Sequence, residues 1–182
     1  MSNGPTADVS VRIAWADDAE AIAALQVRAW SEQYAGVLPA GSVPDDPAPV
    51  AEAWRASLAR SADARNRVLV ALERNRVVGF AVTTPATDPD CDPVADGELA
   101  ELVVVRAEQG KGHGSRLLQA VAETLEADRF TRAVTWAIAG DDARRAFLVG
   151  AGWAADSAHR ELDVDGTGAS TIKQVRLHTA LA

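Results

Sequence analysis

Six consecutive residues, Gln109-Gly110-Lys111-Gly112-His113-Gly114, carry the densest chemical signal in the chain. They follow the apolar run Leu102-Val103-Val104-Val105 and precede an amphipathic stretch over residues 115–128. The three glycines therefore stand where a strand turns into a helix. Glycine tolerates the backbone of a tight turn and lets the main chain approach a ligand closely. The N–H groups of a helix's first turn have no partners inside the helix. Together with the positive end of its dipole they suit an anion, above all a phosphate. Lys111 can add a charge-assisted contact to such a group, and Ser115 and Arg116 begin the helix beside it.

Spacing decides among the known phosphate cradles. A Walker loop requires Gly-Lys followed by Ser or Thr, but Gly110-Lys111 is followed by Gly112. A dinucleotide fingerprint, G-x-G-x-x-G, ends on Ser115 if begun at Gly110 and on Leu117 if begun at Gly112, so neither frame fits. The pattern Gln/Arg-x-x-Gly-x-Gly/Ala, which holds the pyrophosphate of coenzyme A, is met in full by Gln109, Gly112 and Gly114. At these residues the chain resembles the GNAT superfamily of N-acetyltransferases.

The elements that must position this turn can be read from periodicity. Residues 9–14 alternate apolar and polar side chains and predict a strand. Asp17 or Asp18 can cap the helix that follows, whose apolar stripe is Ala19, Ile22, Ala23, Leu25, Gln26 and Trp30. After a proline-bearing loop over residues 41–49, a second helix is expected over 50–60, with Trp54 and Leu58 on one face. Strands at 68–72 and 77–83 are joined by the tight hairpin Arg74-Asn75-Arg76. A strand over 98–105 leads into the glycine turn and its helix. A strand at 133–138, a helix capped by Asp141 or Asp142 and running to 150, and strands at 153–163 and 171–178 complete the chain. The order β-α-α-β-β-β-α-β-α-β-β predicts one α/β domain over residues 1–182, with a mixed, mostly antiparallel sheet and a frayed tail at 1–8.

The GNAT fold has the same order, so the resemblance extends over nearly the whole chain. The run Arg28-Ala29-Trp30 through Tyr34-Ala35-Gly36-Val37-Leu38-Pro39 is similar to the helix-and-loop segment of bacterial small-molecule members. The run from Asp141 to Trp153 resembles the late helix motif N-x-x-A-x-x-F-Y-x-x-x-G-F. Phe147 and Gly152 match it, Trp153 and Asp141 replace Phe and Asn, Arg144 stands where Ala is usual, and Leu148 where Tyr is usual.

The resemblance implies acetyl-CoA as cosubstrate, with no metal, and a direct transfer to a primary amine. Backbone N–H groups from Gln109 through Gly110, Lys111, Gly112, His113 and Gly114 would hold the pyrophosphate. The backbone of Val103, Val104 and Val105 would pair with the pantetheine arm. His113 reads as a surface or phosphate-adjacent residue rather than a catalyst. Asp141 stands where relatives turn an Asn toward the arm. An alkyl amine, with a pKa of about 10, must lose a proton before attack. Glu98, at the offset from Gln109 where protein-acetylating relatives place a base, is the first candidate, acting through a water, and Glu101 is the second. Residues three apart on a regular strand face opposite sides, so only one should reach the site unless a bulge intervenes. Leu148 cannot protonate a leaving thiolate, which leaves Tyr34, water, or departure of the thiolate unassisted. Tyr34 and Trp30 lie in the segment that lines the acceptor pocket in relatives.

Composition narrows the partners. The chain has 182 residues, a net charge of −8 and one cysteine, Cys91. The acidic balance argues against nucleic-acid binding and is compatible with a cationic acceptor. No apolar run is long enough to span a membrane, and residues 1–8 lack the pattern of a secretory signal. A cytoplasmic location is therefore expected. Cys91 excludes an internal disulfide framework and reads as a loop thiol. The acceptor is expected to be a small-molecule amine; a protein N-terminus or lysine, or a coenzyme-binding sensor without turnover, are the rival readings. Relatives are frequently dimers, so a homodimer is compatible with the resemblance.

Overall fold

Central strands whose two faces are both covered read as continuous apolar runs, and Leu69-Val70-Ala71 and Val78-Gly79-Phe80-Ala81 are buried throughout. They form the middle of a seven-stranded sheet in a computed structural model that describes residues 9–182. The tail expected over residues 1–8 lies outside the described residues. The elements are β1 (Val9–Ile13), α1 (Ala19–Gln33), α2 (Ala48–Ala59), β2 (Arg67–Glu73), β3 (Arg76–Pro85), β4 (Asp96–Val104), α3 (His113–Ala127), β5 (Arg132–Ile138), α4 (Asp142–Gly150), β6 (Ala154–Asp163) and β7 (Thr171–Ala180). The sheet order is β1-β2-β3-β4-β5-β7-β6, antiparallel except between β4 and β5. The expected fold class, element order and mixed sheet are present.

Two apolar layers sandwich the sheet. Leu117, Leu118, Val121 and Leu125 of α3 pack with Leu69, Ala81, Leu99, Leu102 and Leu148 of α4 on one side. Ile22 of α1 packs with Val70 and Phe80 on the other, joined by Trp54 and Leu58 of α2. The turn between β2 and β3 is the two residues Arg74 and Asn75, both at positive φ (49° and 66°). That is the mirror-image turn whose twist matches a right-handed hairpin.

Local capping differs from expectation at one place. Asp18 does not cap α1 with its side chain. Its carboxylate accepts from the Trp15 backbone N–H (2.7 Å) and from both terminal nitrogens of Arg12 (2.7 and 3.0 Å), which holds its pKa below the usual range. Competition from a charged partner explains the difference. Asp141 does cap α4, accepting from the Arg144 N–H at 3.0 Å.

Candidate active site

The parallel pairing of β4 with β5 is confined to Asp96–Glu98 against Arg132–Val134. Beyond it the two strands diverge, and the gap opens a cleft of about 990 Å³ that joins the two faces of the sheet. Leu25, Ala29 and Gln33 of α1 form one wall, residues 102–106 another, and Ala143, Arg144 and Phe147 of α4 a third. This volume lies at the upper end of the range for small-molecule sites.

The glycine turn closes one end of the cleft. Gln109, Gly110, Gly112, Gly114 and Ser115 line it, and so does Asp141. Gly112 is the residue before α3 and has φ 86°, a conformation an L side chain strains to reach. Gly114 sits against α4: a Cβ there would stand 3.3 Å from Phe147 Cζ. The first turn of α3 thus faces the cleft, with the Arg116 guanidinium beside Gly112 and donating to Lys111 O at 3.2 Å.

Two residues of the turn depart from expectation. His113 is not at the surface: it is 1 % exposed, with Nε2 3.7 Å from Glu73 Oε2 and Nδ1 without a hydrogen-bond partner. As the first residue of α3 it points beneath the turn, so its side chain is turned away from any anion above. Lys111 pairs with Glu108 at 2.6 Å rather than lining the cleft. Lys111 and then Arg76 lower the Glu108 pKa, and the buried carboxylate competes with any phosphate for the lysine.

The strand wall also needs a correction. Val105 donates its N–H to Val78 O (2.9 Å). By the alternation of an antiparallel ladder, Val103 likewise turns its backbone groups to β3. The backbone groups aimed into the opening are those of Leu102 and Val104. Their carbonyls accept from Arg144 Nη1 (2.9 Å) and Gln109 Nε2 (3.2 Å). Of the three valines expected to offer backbone, Val104 alone does so, while the residues of all three line the cleft.

A bulge sets the carboxylates. Val82 pairs with Glu101 but Thr83 with Leu99, so Ala100 is an extra residue in β4. Leu99 and Leu102, three apart, both face the α3 layer, and Glu98 and Glu101 consequently both face the α1 side. Glu101 accepts from Gln26 Nε2 (2.7 Å) and Trp30 Nε1 (3.1 Å), and Trp54 Nε1 donates onward to Gln26 Oε1 (2.8 Å). Burial raises the Glu101 pKa against the pull of these donors and of Arg144. Glu98 has no hydrogen-bond partner among the described residues; burial and then Asp88 raise its pKa, opposed by Arg160 and Arg176. Tyr34, the residue ending α1, is raised by burial and by Glu101, which keeps its phenol protonated.

Trp30 and Gln26 also line a second, apolar opening of about 470 Å³ between α1 and α2, with Pro49, Val50, Ala53 and Trp54. Glu101 therefore stands between this groove and the cleft that its neighbour Leu102 lines. Gln26, on the apolar stripe of α1, and Arg144 are site residues beyond those expected from the sequence. The signals were a lone amide among apolar neighbours and a charged residue at a position that is ordinarily alanine. Cys91 stays outside the site. Its thiol lies 3.4 and 3.6 Å from guanidinium nitrogens of Arg176 and Arg132, and burial raises its pKa.

A model of the acetyltransferase (GNAT) family matches residues 15–152. No curated protein matches the sequence. Among solved structures, the chain is similar to a ribosomal-protein-alanine N-acetyltransferase from Brucella melitensis, with 19% identity, a TM-score of 0.73 and coverage of 94% of this chain and 99% of that one. It is similar to yncA of Salmonella typhimurium, solved with its cofactor acetyl-CoA (18%, 0.71, 96% and 94%). It also resembles a paia N-acetyltransferase from Thermoplasma acidophilum in complex with coenzyme A (14%, 0.68, 94% and 98%). At these identities the likeness is one of fold. No helix among the described residues is long and apolar enough to cross a membrane.

Proposed function

Because the chain belongs to the acetyltransferase (GNAT) family, we propose that it transfers the acetyl group of acetyl-CoA to the primary amine of a small molecule. The observation that carries this reading is the juxtaposition along β4: backbone of Leu102 and Val104 turned away from β3 toward the opening, its carbonyls held by the Arg144 and Gln109 side chains, a glycine-lined helix N-terminus at one end, and two carboxylates brought onto one face by the bulge. The first-turn N–H groups of α3 hold the pyrophosphate. The N–H groups of Leu102 and Val104 donate to the amide carbonyls of the arm, which places the acyl group toward Glu101 and the groove. Acetyl-CoA supplies an activated acyl carbon and a thiol leaving group.

The chain's own residues handle the protons and the orientation. Glu101, held by Gln26 and Trp30, keeps lone pairs toward the groove and docks the acceptor's ammonium. Glu98, raised by burial and free of a partner, takes the ammonium proton through a water. The amine nitrogen then bonds to the acyl carbon as the carbon–sulfur bond breaks. The Leu102 N–H faces the opening beside that carbon and stabilises the charge developing on its oxygen. Tyr34 donates a proton to the departing sulfur and is reprotonated by the proton that the new amide nitrogen sheds, taking the place that Leu148, buried in the α3 layer, cannot fill. The apolar groove beside Trp30 and Trp54 supports a small acceptor with an apolar body and a cationic end.

Isothermal titration with coenzyme A and acetyl-CoA tests the reading, followed by release of free thiol across a panel of hydrophobic primary amines. Binding of both and thiol release with amines is the expected result. Absence of binding would withdraw the transferase reading of the cleft.

A further inference from the structure

Arg144 is the feature of the cleft that acetyl transfer to an amine leaves without a use. It projects from α4 into the opening, where Nη1 donates to Leu102 O at 2.9 Å. No carboxylate among the described residues lies within ion-pair distance of it. Of the other arginines of this half of the chain, Arg132 pairs with Asp96 (2.7 Å), Arg145 with Asp142 (3.5 Å), Arg160 with Asp88 (3.6 Å) and Arg176 with Asp90 and Asp156 (2.6 and 2.7 Å), whereas Arg106, Arg116 and Arg129, which make no ion pair among the described residues, are exposed to solvent. Arg144 is half-buried, and burial lowers its pKa, only partly offset by Asp141, Glu101 and Tyr34. Glu101, held toward α1 by Gln26 and Trp30, makes no ion pair with Arg144. A desolvated cation without a partner is costly unless an anion completes it. With one nitrogen on Leu102 O, the guanidinium retains further donors for a fork-like grip.

We propose that Arg144 forms a carboxylate-binding subsite at the acyl end of the cleft, so that either the transferred acyl group or the acceptor carries a carboxylate. The inference rests on the acyl-CoA reading of the cleft, because that reading places the thioester beside Leu102 and the pyrophosphate at the far end. The pyrophosphate is thus spoken for by the α3 turn, the ribose phosphate lies beyond it at the nucleotide end, away from the thioester, and the pantetheine arm is neutral. The anion that Arg144 meets must come from one of the two reacting partners. A dicarboxylic acyl chain would reach it from the β4 side. An amino acid acceptor would reach it from the groove, with its amine at Glu101.

The test measures affinity ratios in wild-type protein and in Arg144→Gln and Arg144→Ala. Glutamine keeps an amide donor for Leu102 O and removes the charge. One arm compares succinyl-CoA with butyryl-CoA by calorimetry. The other compares N-acetylphenylalanine with its carboxamide, each added to protein saturated with coenzyme A. Wild type should prefer the carboxylate about tenfold or more in one arm, the scale of one charge-assisted hydrogen bond, and that arm identifies the source. Both variants should bring the ratio to about one. Ratios near one in both arms of the wild type overturn the proposal, as does a preference that survives in Arg144→Gln. Failure of wild type to bind coenzyme A at all would instead remove the acyl-CoA reading beneath it. Because each readout is a ratio within one protein, a general loss of folding or affinity does not mimic the effect.

Discussion

Replacing Glu101 by Gln should destabilise the protein by more than a conservative change of one atom suggests. Trp30 and Trp54 present indole N–H groups, which only donate. Between them, Glu101 accepts from Trp30 and Gln26, and Gln26 accepts from Trp54. The chain closes because residue 101 only accepts. In Glu101→Gln one face of residue 101 becomes a donor. If its NH2 faces Trp30, two donors meet there. If it faces Gln26, that amide must flip, and its own NH2 then meets the Trp54 N–H. No arrangement satisfies all four groups. A buried donor left unpaired costs about 1–3 kcal/mol. Trp30, Trp54 and residue 101 are partly exposed, although Gln26 is buried, and the change also removes a desolvated charge whose pKa burial raises, so the lower part of that range, about 1–2 kcal/mol, is expected. For a domain near this size that is a fall in Tm of about 2–8 °C, measured by calorimetry or urea unfolding at pH 7. Adding Trp30→Phe removes one competing donor. The double variant should therefore lose about 1 kcal/mol less than the sum of the singles. Strict additivity, or a Glu101→Gln protein within about 0.3 kcal/mol of wild type, would refute the acceptor-only logic of the network.

Other perturbations test neighbouring parts of the site. Glu98→Gln should cut turnover on the order of 10²-fold or more while raising thermal stability at neutral pH. Its pKa is raised in the fold, so the folded state binds the proton more tightly and stability falls as pH rises above the unfolded value of about 4.3. The gain in Tm should thus vanish in acid, and a uniform gain across pH would refute the assignment. Arg176→Ala strips a nearly buried guanidinium from Asp90 and Asp156, and a loss of about 3 kcal/mol or more by denaturant unfolding is expected. A loss below about 1 kcal/mol would mean the cluster is well solvated. Gly112→Ala, forced to φ 86°, should cost about 1–2 kcal/mol and weaken coenzyme A binding in the same titration; unchanged affinity would separate the turn from the ligand.

Hydrophobic period and turn chemistry are local properties, and the elements that depend on them were legible. The two-residue hairpin at Arg74-Asn75, the helix capped by Asp141 and the glycine turn before α3 each follow from residues adjacent in the chain. Periodicity alone placed Ile22 on the buried stripe of the first helix and marked residues 115–128 as amphipathic, the stretch whose Leu117, Val121 and Leu125 are buried. What depended on a partner distant in sequence was not legible. His113 looks like a turn residue, yet Glu73, forty residues earlier, shares its burial beneath α3. Lys111 looks free for a phosphate, yet Glu108 holds it. Which valines of β4 offer backbone to the cleft depends on which edge β3 occupies, and the bond from Val105 to Val78 decides it. The bulge at Ala100, which puts Glu98 and Glu101 on one face, arises only in the register of β4 on β3. Sequence by itself therefore determined the order of elements and the turn built to meet an anion, because glycine spacing and apolar period act over a few residues. Tertiary structure alone decided which charges are free to act, because a salt bridge, a buried acceptor or an open strand edge exists only once segments far apart in the chain come within a few ångströms.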